Sequence, residues 1–246
     1  MPKPRHIVVL GATGMAFSSV SAALTLYVRN ASRLPAAHTE ADPARIRVVE
    51  GGLTDQAALE AALTDPAAPV EAVVSFLGAY PTLSAFLLRT KTTPIADSFP
   101  ILFAAMKKTS VKRILALSTP AWLVKEQQTG PKGAEGETVE FDKFPWSWWL
   151  AMKVPPLLIP QGHKEMEQIA RRVVEEGQSG GWGLKWTVFR VPHLNAGGAD
   201  ERVSAGIFGH GFVGTRELSR KSMVNWVLEE VEAGEWINKA PAIGNY

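Results

Sequence analysis

"HIVVLGATGMAFSSVSAALTLYVRN", residues 6–30, sets the topology of all that follows it. Ile7–Leu10 is an unbroken apolar run that stops at Gly11. Such a run reads as a short strand buried on both faces. G-A-T-G comes next, at residues 11–14. Glycines at these positions let the backbone turn tightly and approach a phosphate, and a helix opening behind them offers free N–H groups and a positive end. Leu24–Val28 is a second apolar run. Taken alone, the turn is equally a tight bend with no ligand. After the first strand of an alternating chain it reads as the start of a nucleotide-binding α/β sheet.

The alternation continues. Ile46–Val49 is a third strand, ending at the turn E-G-G-L-T-D. Ala57–Leu63 reads as a short helix with Asp55 as its N-cap. Val70–Leu77 is a fourth strand ending at Gly78. Asp97–Lys108 reads as a helix whose apolar face is Phe99, Leu102, Phe103 and Met106. Arg113–Leu117 is a fifth strand ending at Ser118, and Trp186–Val191 a sixth. A long helix spans Pro160–Glu176, with Pro160 suited to its first turn, and a last one spans Ser219–Ala233 with Ser219 as cap. Apolar strands alternating with helices predict an α/β fold, a doubly wound, Rossmann-like parallel sheet of order 3-2-1-4-5-6. Two stretches break the alternation. Glu126–Gly136 is polar and glycine-rich, the composition of a loop. Phe144–Pro160 is aromatic and broken by prolines. The chain is expected to form one domain over residues 1–246, with residues 123–160 as a loop or lid inserted over the C-terminal edge of the sheet.

Composition narrows the function. The 246 residues are 46% hydrophobic and 20% charged, an ordinary globular balance. A formal charge of +2 gives no footprint for nucleic acid. The absence of cysteine removes disulfides, thiolate catalysis and cysteine metal sites. The five histidines lack ligand spacing, so no metal is expected. No apolar run is long enough to span a bilayer, and "MPKPRHIVVLG" passes from basic residues straight into a strand. The expected setting is therefore cytoplasmic, without a membrane partner. No internal repeat is present, and the sequence carries no signal for oligomeric state.

The second strand ends in V-R-N-A-S. An acidic residue at this place holds a ribose 2′-hydroxyl, whereas a basic one accepts a 2′-phosphate. Arg29 points to NADP, and Arg33 can reinforce it; the plain alternative is a solvated arginine.

Eight segments now stand in order: "VVLGATG", "LYVRNASRLP", "VVEGGLTD", "VVSFLG", "RILALSTP", "HKEMEQIARRV", "GLKWTVFRVPHL" and "LSRKSMVNWVLEEV". The set resembles the atypical short-chain dehydrogenases/reductases of the NmrA-like and biliverdin-reductase-B-like kind. The resemblance implies that Gly11, Thr13 and Gly14 hold the pyrophosphate and Arg29 the 2′-phosphate. It implies that Leu77 and Gly78 flank the adenosine and its ribose. Ser118 and Thr119 would lie beside the nicotinamide, and Val191, Pro192 and His193 would close over its carboxamide. The chain departs from the pattern in two places near its start. The third glycine falls near Phe17. Gly14 to Arg29 is also about seven residues shorter than the ordinary unit, which needs a full crossover helix. Met15–Ala23 supplies barely two turns, so a truncated first helix and weakened cofactor binding are expected.

The catalytic signature departs as well. Typical short-chain dehydrogenases use Tyr-x-x-x-Lys on the helix after the fifth strand, the tyrosine exchanging the proton. Here the stretch is P-Q-G-H-K: Pro160 replaces the tyrosine while Lys164 remains. Biliverdin-reductase-B-like proteins carry a histidine at a place like His163, and a histidine can donate a proton near neutral pH. His163 and Lys164 are equally readable as exposed residues of a first helical turn. His193 is the second candidate and Tyr80 a weaker one. Trp146, Trp148 and Trp149 suit an apolar lid over a planar substrate, or packing on the sheet edge, better than a membrane surface. The leading function is an NADPH-dependent reductase of a small, largely apolar, aromatic or polyketide-like molecule. The alternatives are an NmrA-like dinucleotide-binding redox sensor without chemistry, and a cofactor-poor relative performing a non-redox isomerisation or cyclisation.

Overall fold

A computed structural model of the chain describes residues 5–14, 22–34, 45–66, 68–78, 92–124, 141–143, 148, 159–199 and 201–246. The expected first helix (residues 15–23) lies almost wholly outside them. So do Phe17, Tyr80, Trp146, Trp149, the glycine-rich loop and most of the lid.

The six expected strands form a parallel sheet. They are β1 (His6–Leu10), β2 (Ala23–Val28), β3 (Ile46–Glu50), β4 (Val70–Ser75), β5 (Arg113–Ser118) and β6 (Lys185–Arg190). Their order is 3-2-1-4-5-6, as the alternation predicts. The sheet then continues. β10 (Ala242–Asn245) pairs parallel to β6, and β8 (Val203–Gly206) pairs antiparallel to β10, giving eight strands in all. β7 (His193–Asn195) and β9 (Glu217–Ser219) form a separate two-stranded parallel ribbon. These four short strands are absent from the sequence reading.

Burial follows position in the sheet. All five residues of β1 are buried, whereas the edge strand β3 has no fully buried residue. The helices are α1 (Gln56–Leu63), α2 (Pro94–Lys108), α3 (Pro160–Ser179) and α4 (Arg220–Ala233). The expected caps form: Asp55 accepts the N–H of Ala58 at 3.0 Å, and Ser219 accepts that of Ser222 at 3.4 Å. α2 begins a turn earlier than the sequence suggests, with Pro94 in its opening turn. Phe99, Leu102, Phe103 and Met106 are all buried, as their helical spacing requires.

Side-chain alternation along β5 shows how the helices flank the sheet. Ser118 reaches α3, its hydroxyl donating to the carbonyl of Met166 at 2.7 Å. Arg113, five residues earlier and so on the other face, reaches α4 and pairs with Glu230 at 2.8 Å. α3 and α4 therefore cover opposite faces. Burial disfavours both charges of the pair, pushing the Arg113 guanidinium down and the Glu230 carboxyl up; their mutual attraction opposes both shifts.

Candidate functional site

Parallel strands end along one edge, and ligands of such sheets bind outside that edge where the strand order reverses. Here the reversal falls between β1 and β4. The two strand ends are locked together: the Phe76 N–H donates to the carbonyl of Leu10 at 2.9 Å. Gly11 follows with φ +79°, and a Cβ on it would stand 2.9 Å from the carbonyl carbon of Phe76. No other residue fits there, because both the backbone angle and the space exclude a side chain. Ala12–Gly14 then forms one tight turn, with Ala12 buried and Thr13 exposed. Leu77 and Gly78 lie half-exposed beside it. A strand end, a bare backbone turn and an exposed hydroxyl are the features a pyrophosphate needs, so these residues fit a dinucleotide.

The β2 end supplies the next feature. Arg29 and Arg33 are both exposed. Between them Asn30 closes a short helical turn by accepting from the Ser32 N–H at 2.9 Å. The neighbouring turn is pinned by Tyr27, whose hydroxyl donates to the Gly52 carbonyl at 2.7 Å. Burial, with a smaller push from the charge of Asp55, raises that phenol to about 12, so it stays a neutral donor.

The other half of the crevice is built from β5, β6 and α3. Val191 donates its N–H to the carbonyl of Ser118 at 2.9 Å, joining the ends of β5 and β6. Ser118 is fully buried and its hydroxyl is engaged by Met166, so it offers no free group for proton transfer. It fixes α3 instead. Thr119 and Pro192 are half-buried at the same edge.

His163 and Lys164 lie half-buried in the first turn of α3, one turn before Met166. Burial pushes the His163 imidazole below its ordinary pKa, and Glu167 pulls it only partly back. Glu165 follows, buried, and caps a different helix: it accepts the Ala96 N–H at the start of α2 at 2.7 Å. Burial raises its carboxyl, the N–H groups of Ala96 and Ile95 lower it, and Asp97 adds a smaller upward push. His193 stands exposed on β7, its N–H donating to the carbonyl of Arg216 at 3.1 Å. No hydrogen bond joins His163 to His193. Among the described residues no group of three or more histidines or acids is placed to hold a metal.

Sequence reasoning missed a buried hub beyond β6. Arg190 is fully buried and grips both carboxylate oxygens of Asp142, one of them at 3.0 Å. Asp142 also accepts the N–H groups of Val124 at 2.7 Å and Phe208 at 3.2 Å. Above it Phe208 meets Trp148 and Phe212, with ring centres 4.9 and 5.0 Å apart. The one available signal was the repeat of glycine and aromatic residues in G-I-F-G-H-G-F-V-G, residues 206–214. Gly209, at φ +80°, lets that hairpin lie against Lys143.

Comparison with known proteins agrees with this geometry. The model of a family described as NAD(P)H-binding matches residues 13–233. No curated protein matches the sequence. Solved structures share the fold at low identity. A short-chain dehydrogenase/reductase from Veillonella parvula, in complex with NADP, has 18% identity and a TM-score of 0.61, covering 98% of this chain and 94% of its own. The anaerobilin reductase ChuY from Escherichia coli O157:H7 has 14% identity and a TM-score of 0.61, covering 98% and 97%. A Rossmann-fold NAD(P)-binding family protein from Shigella flexneri has 16% identity and a TM-score of 0.58, covering 98% and 93%.

Proposed function

The chain belongs to the NAD(P)H-binding family, and on that footing we propose that it is an NADPH-dependent reductase of a small, largely apolar, aromatic or polyketide-like substrate. The observation that carries this reading is the tight Gly11 turn packed between the ends of β1 and β4, where the strand order reverses, with an exposed arginine at the end of β2. Gly11, Thr13 and Gly14 hold the pyrophosphate, and Arg29 takes the 2′-phosphate. Leu77 and Gly78 flank the adenosine and its ribose. Thr119 and Pro192 line the nicotinamide end. Bound NADPH supplies a hydride. The chain itself supplies the proton, from His163 in the first turn of α3 or from exposed His193 beyond β6. Lys164 keeps positive charge at that end of the crevice.

A second reading has one specific support. Pro160 stands where the catalytic tyrosine is expected, and burial disfavours the charged form of His163 that a proton donor needs. A protein so equipped binds the dinucleotide and performs no chemistry, as a redox sensor does.

Titration of the purified protein with NADPH, NADH and NADP separates these readings when followed by a panel of aromatic aldehydes, ketones and quinones. The reductase reading expects saturable NADPH binding and loss of NADPH absorbance with at least one acceptor. Clear NADPH binding without turnover of any acceptor favours the sensor. No binding of any dinucleotide would overturn both.

A further inference from the structure

The aromatic cluster beyond β6 carries two guanidinium groups. Arg190 lies 5.3 Å from the ring centre of Phe208, and Arg216 lies 5.7 Å from that of Trp148. Because Trp148 and Phe208 touch, both cations rest on one aromatic surface. Their charge balance differs. Arg190 is buried and spent on Asp142. Arg216 is exposed, and among the described residues it forms no ion pair. Its neighbour Glu217 is occupied by Asn195, which donates to that carboxylate at 2.9 Å.

We propose that Arg216 and Trp148 form the anion-binding end of the substrate site, which takes a planar aromatic ring bearing a carboxylate. This rests on the reductase reading and narrows its substrate class. Trp148 is half-exposed, so part of its indole stays open to an apolar ring beside the guanidinium that lies over it. A guanidinium lying over an indole keeps its N–H edges free, and those edges match the two oxygens of a carboxylate. The position is right for a substrate. The carbonyl of Arg216 holds His193, which begins three residues past the end of β6, on the edge where the crevice opens.

The cofactor's own phosphates do not account for the free charge. The Arg216 segment is anchored to β10, through the Thr215 N–H and the Asn245 carbonyl at 2.7 Å. β10 stands four strands from β1 in the sheet. At about 4.8 Å per strand that is roughly 19 Å from the pyrophosphate turn, and β2 is one strand further. A lone guanidinium also balances one negative charge, which suits a carboxylate better than a phosphate monoester, of charge about −1.5 to −2 at neutral pH.

The test uses two fluorescent probes of the same shape, naphthoate and naphthalenemethanol, titrated into the full chain with and without NADPH. Naphthoate is expected to bind about ten-fold more tightly than the alcohol, the scale of a charge-assisted contact. Arg216→Gln should erase that preference while leaving alcohol binding and NADPH affinity unchanged; Arg216→Lys should restore part of it. Equal binding of the two probes by the unaltered protein, binding of neither, or a preference that survives Arg216→Gln overturns the proposal. NADPH affinity is read separately. A protein that prefers naphthoate and never binds NADPH keeps the anion site and loses the reductase reading.

Discussion

Arg29 leaves β2 exposed, next to a turn that Asn30 closes by itself. Among the described residues its guanidinium has no ion-pair or hydrogen-bond partner, which leaves it able to fork around a phosphate. Arg29→Ala should erase most of the preference for NADPH over NADH, a loss of about 1.5–3 kcal/mol; equal affinity of the unaltered protein for both cofactors defeats the assignment. His163 carries the second prediction. A proton donor must be charged, and burial pushes this imidazole below its ordinary pKa. The turnover rate should thus fall as pH rises through a limb lying below that ordinary value. His163→Ala should lower kcat by about 10²-fold and remove the limb without changing NADPH affinity. A limb that survives the substitution assigns the proton to His193 or to solvent. The contrast between Gly11 and Ser118 shows what single residues disclose. The need for glycine at position 11 was readable, because a tight turn straight after a buried strand dictates it locally. The fate of Ser118 was not. Its hydroxyl is taken by a carbonyl 48 residues away, which only the approach of α3 to β5 creates.

α3 is the element on which the crevice depends, since it bears His163 and Lys164 and receives Ser118. Its position is set from the side by Glu165. Neither Thr93 nor Ile159 caps its helix with a side chain, so the N–H of Ala96 is met by Glu165 of the neighbouring helix. Glu165→Ala would leave buried N–H groups unmet, at a cost of about 1–3 kcal/mol. Glu165→Gln keeps an acceptor and should cost less. The pH dependence has a definite sign. A carboxyl whose pKa is raised by folding holds its proton longer in the native state, so its contribution falls as pH climbs from the ordinary carboxylate range through the raised value. Glu165→Gln should flatten that part of the melting-temperature profile; an unchanged slope would place the effect on Glu230, whose carboxyl is raised in the same way. Elements were foreseeable where their signal was local. The apolar runs of β1, β2, β5 and β6 and the caps Asp55 and Ser219 needed no partner to be recognised. β8 and β10 did. V-S-A-G and A-I-G-N have only four residues each, with one large apolar side chain apiece, and become strands because each pairs with the other and β10 also with β6.

Across the whole molecule, the pair Arg190–Asp142 joins the segment after β5 to the end of β6 and to the Phe208 hairpin. Removal of two charges from water is costly, and an ion pair buried this deeply repays that only through near-complete hydrogen bonding. Asp142 achieves it with four donors: two from Arg190 and the N–H groups of Val124 and Phe208. Arg190 comes close, adding the carbonyl of Trp122 at 3.4 Å, although its Nε finds no partner among the described residues. Loss of one member strands the other. Asp142→Ala should therefore destabilise by about 3–5 kcal/mol, which at about 2–4 °C per kcal/mol for a chain of this size lowers the melting temperature by roughly 6–20 °C. Asp142→Asn keeps acceptors for the two backbone N–H groups and should cost less than Asp142→Ala. Replacement of both members, as Arg190→Met with Asp142→Leu, removes the stranded charge but leaves the N–H groups of Val124 and Phe208 unmet. The double variant should recover part of the loss and remain below the original protein. Cofactor affinity is a separate matter, because the turn proposed to hold the pyrophosphate follows β1 and the ion pair sits at the end of β6. NADPH binding measured below the melting range should survive Asp142→Asn nearly unchanged. A collapse of NADPH affinity in a variant that still melts cooperatively would show instead that the hub shapes the cofactor half of the crevice directly.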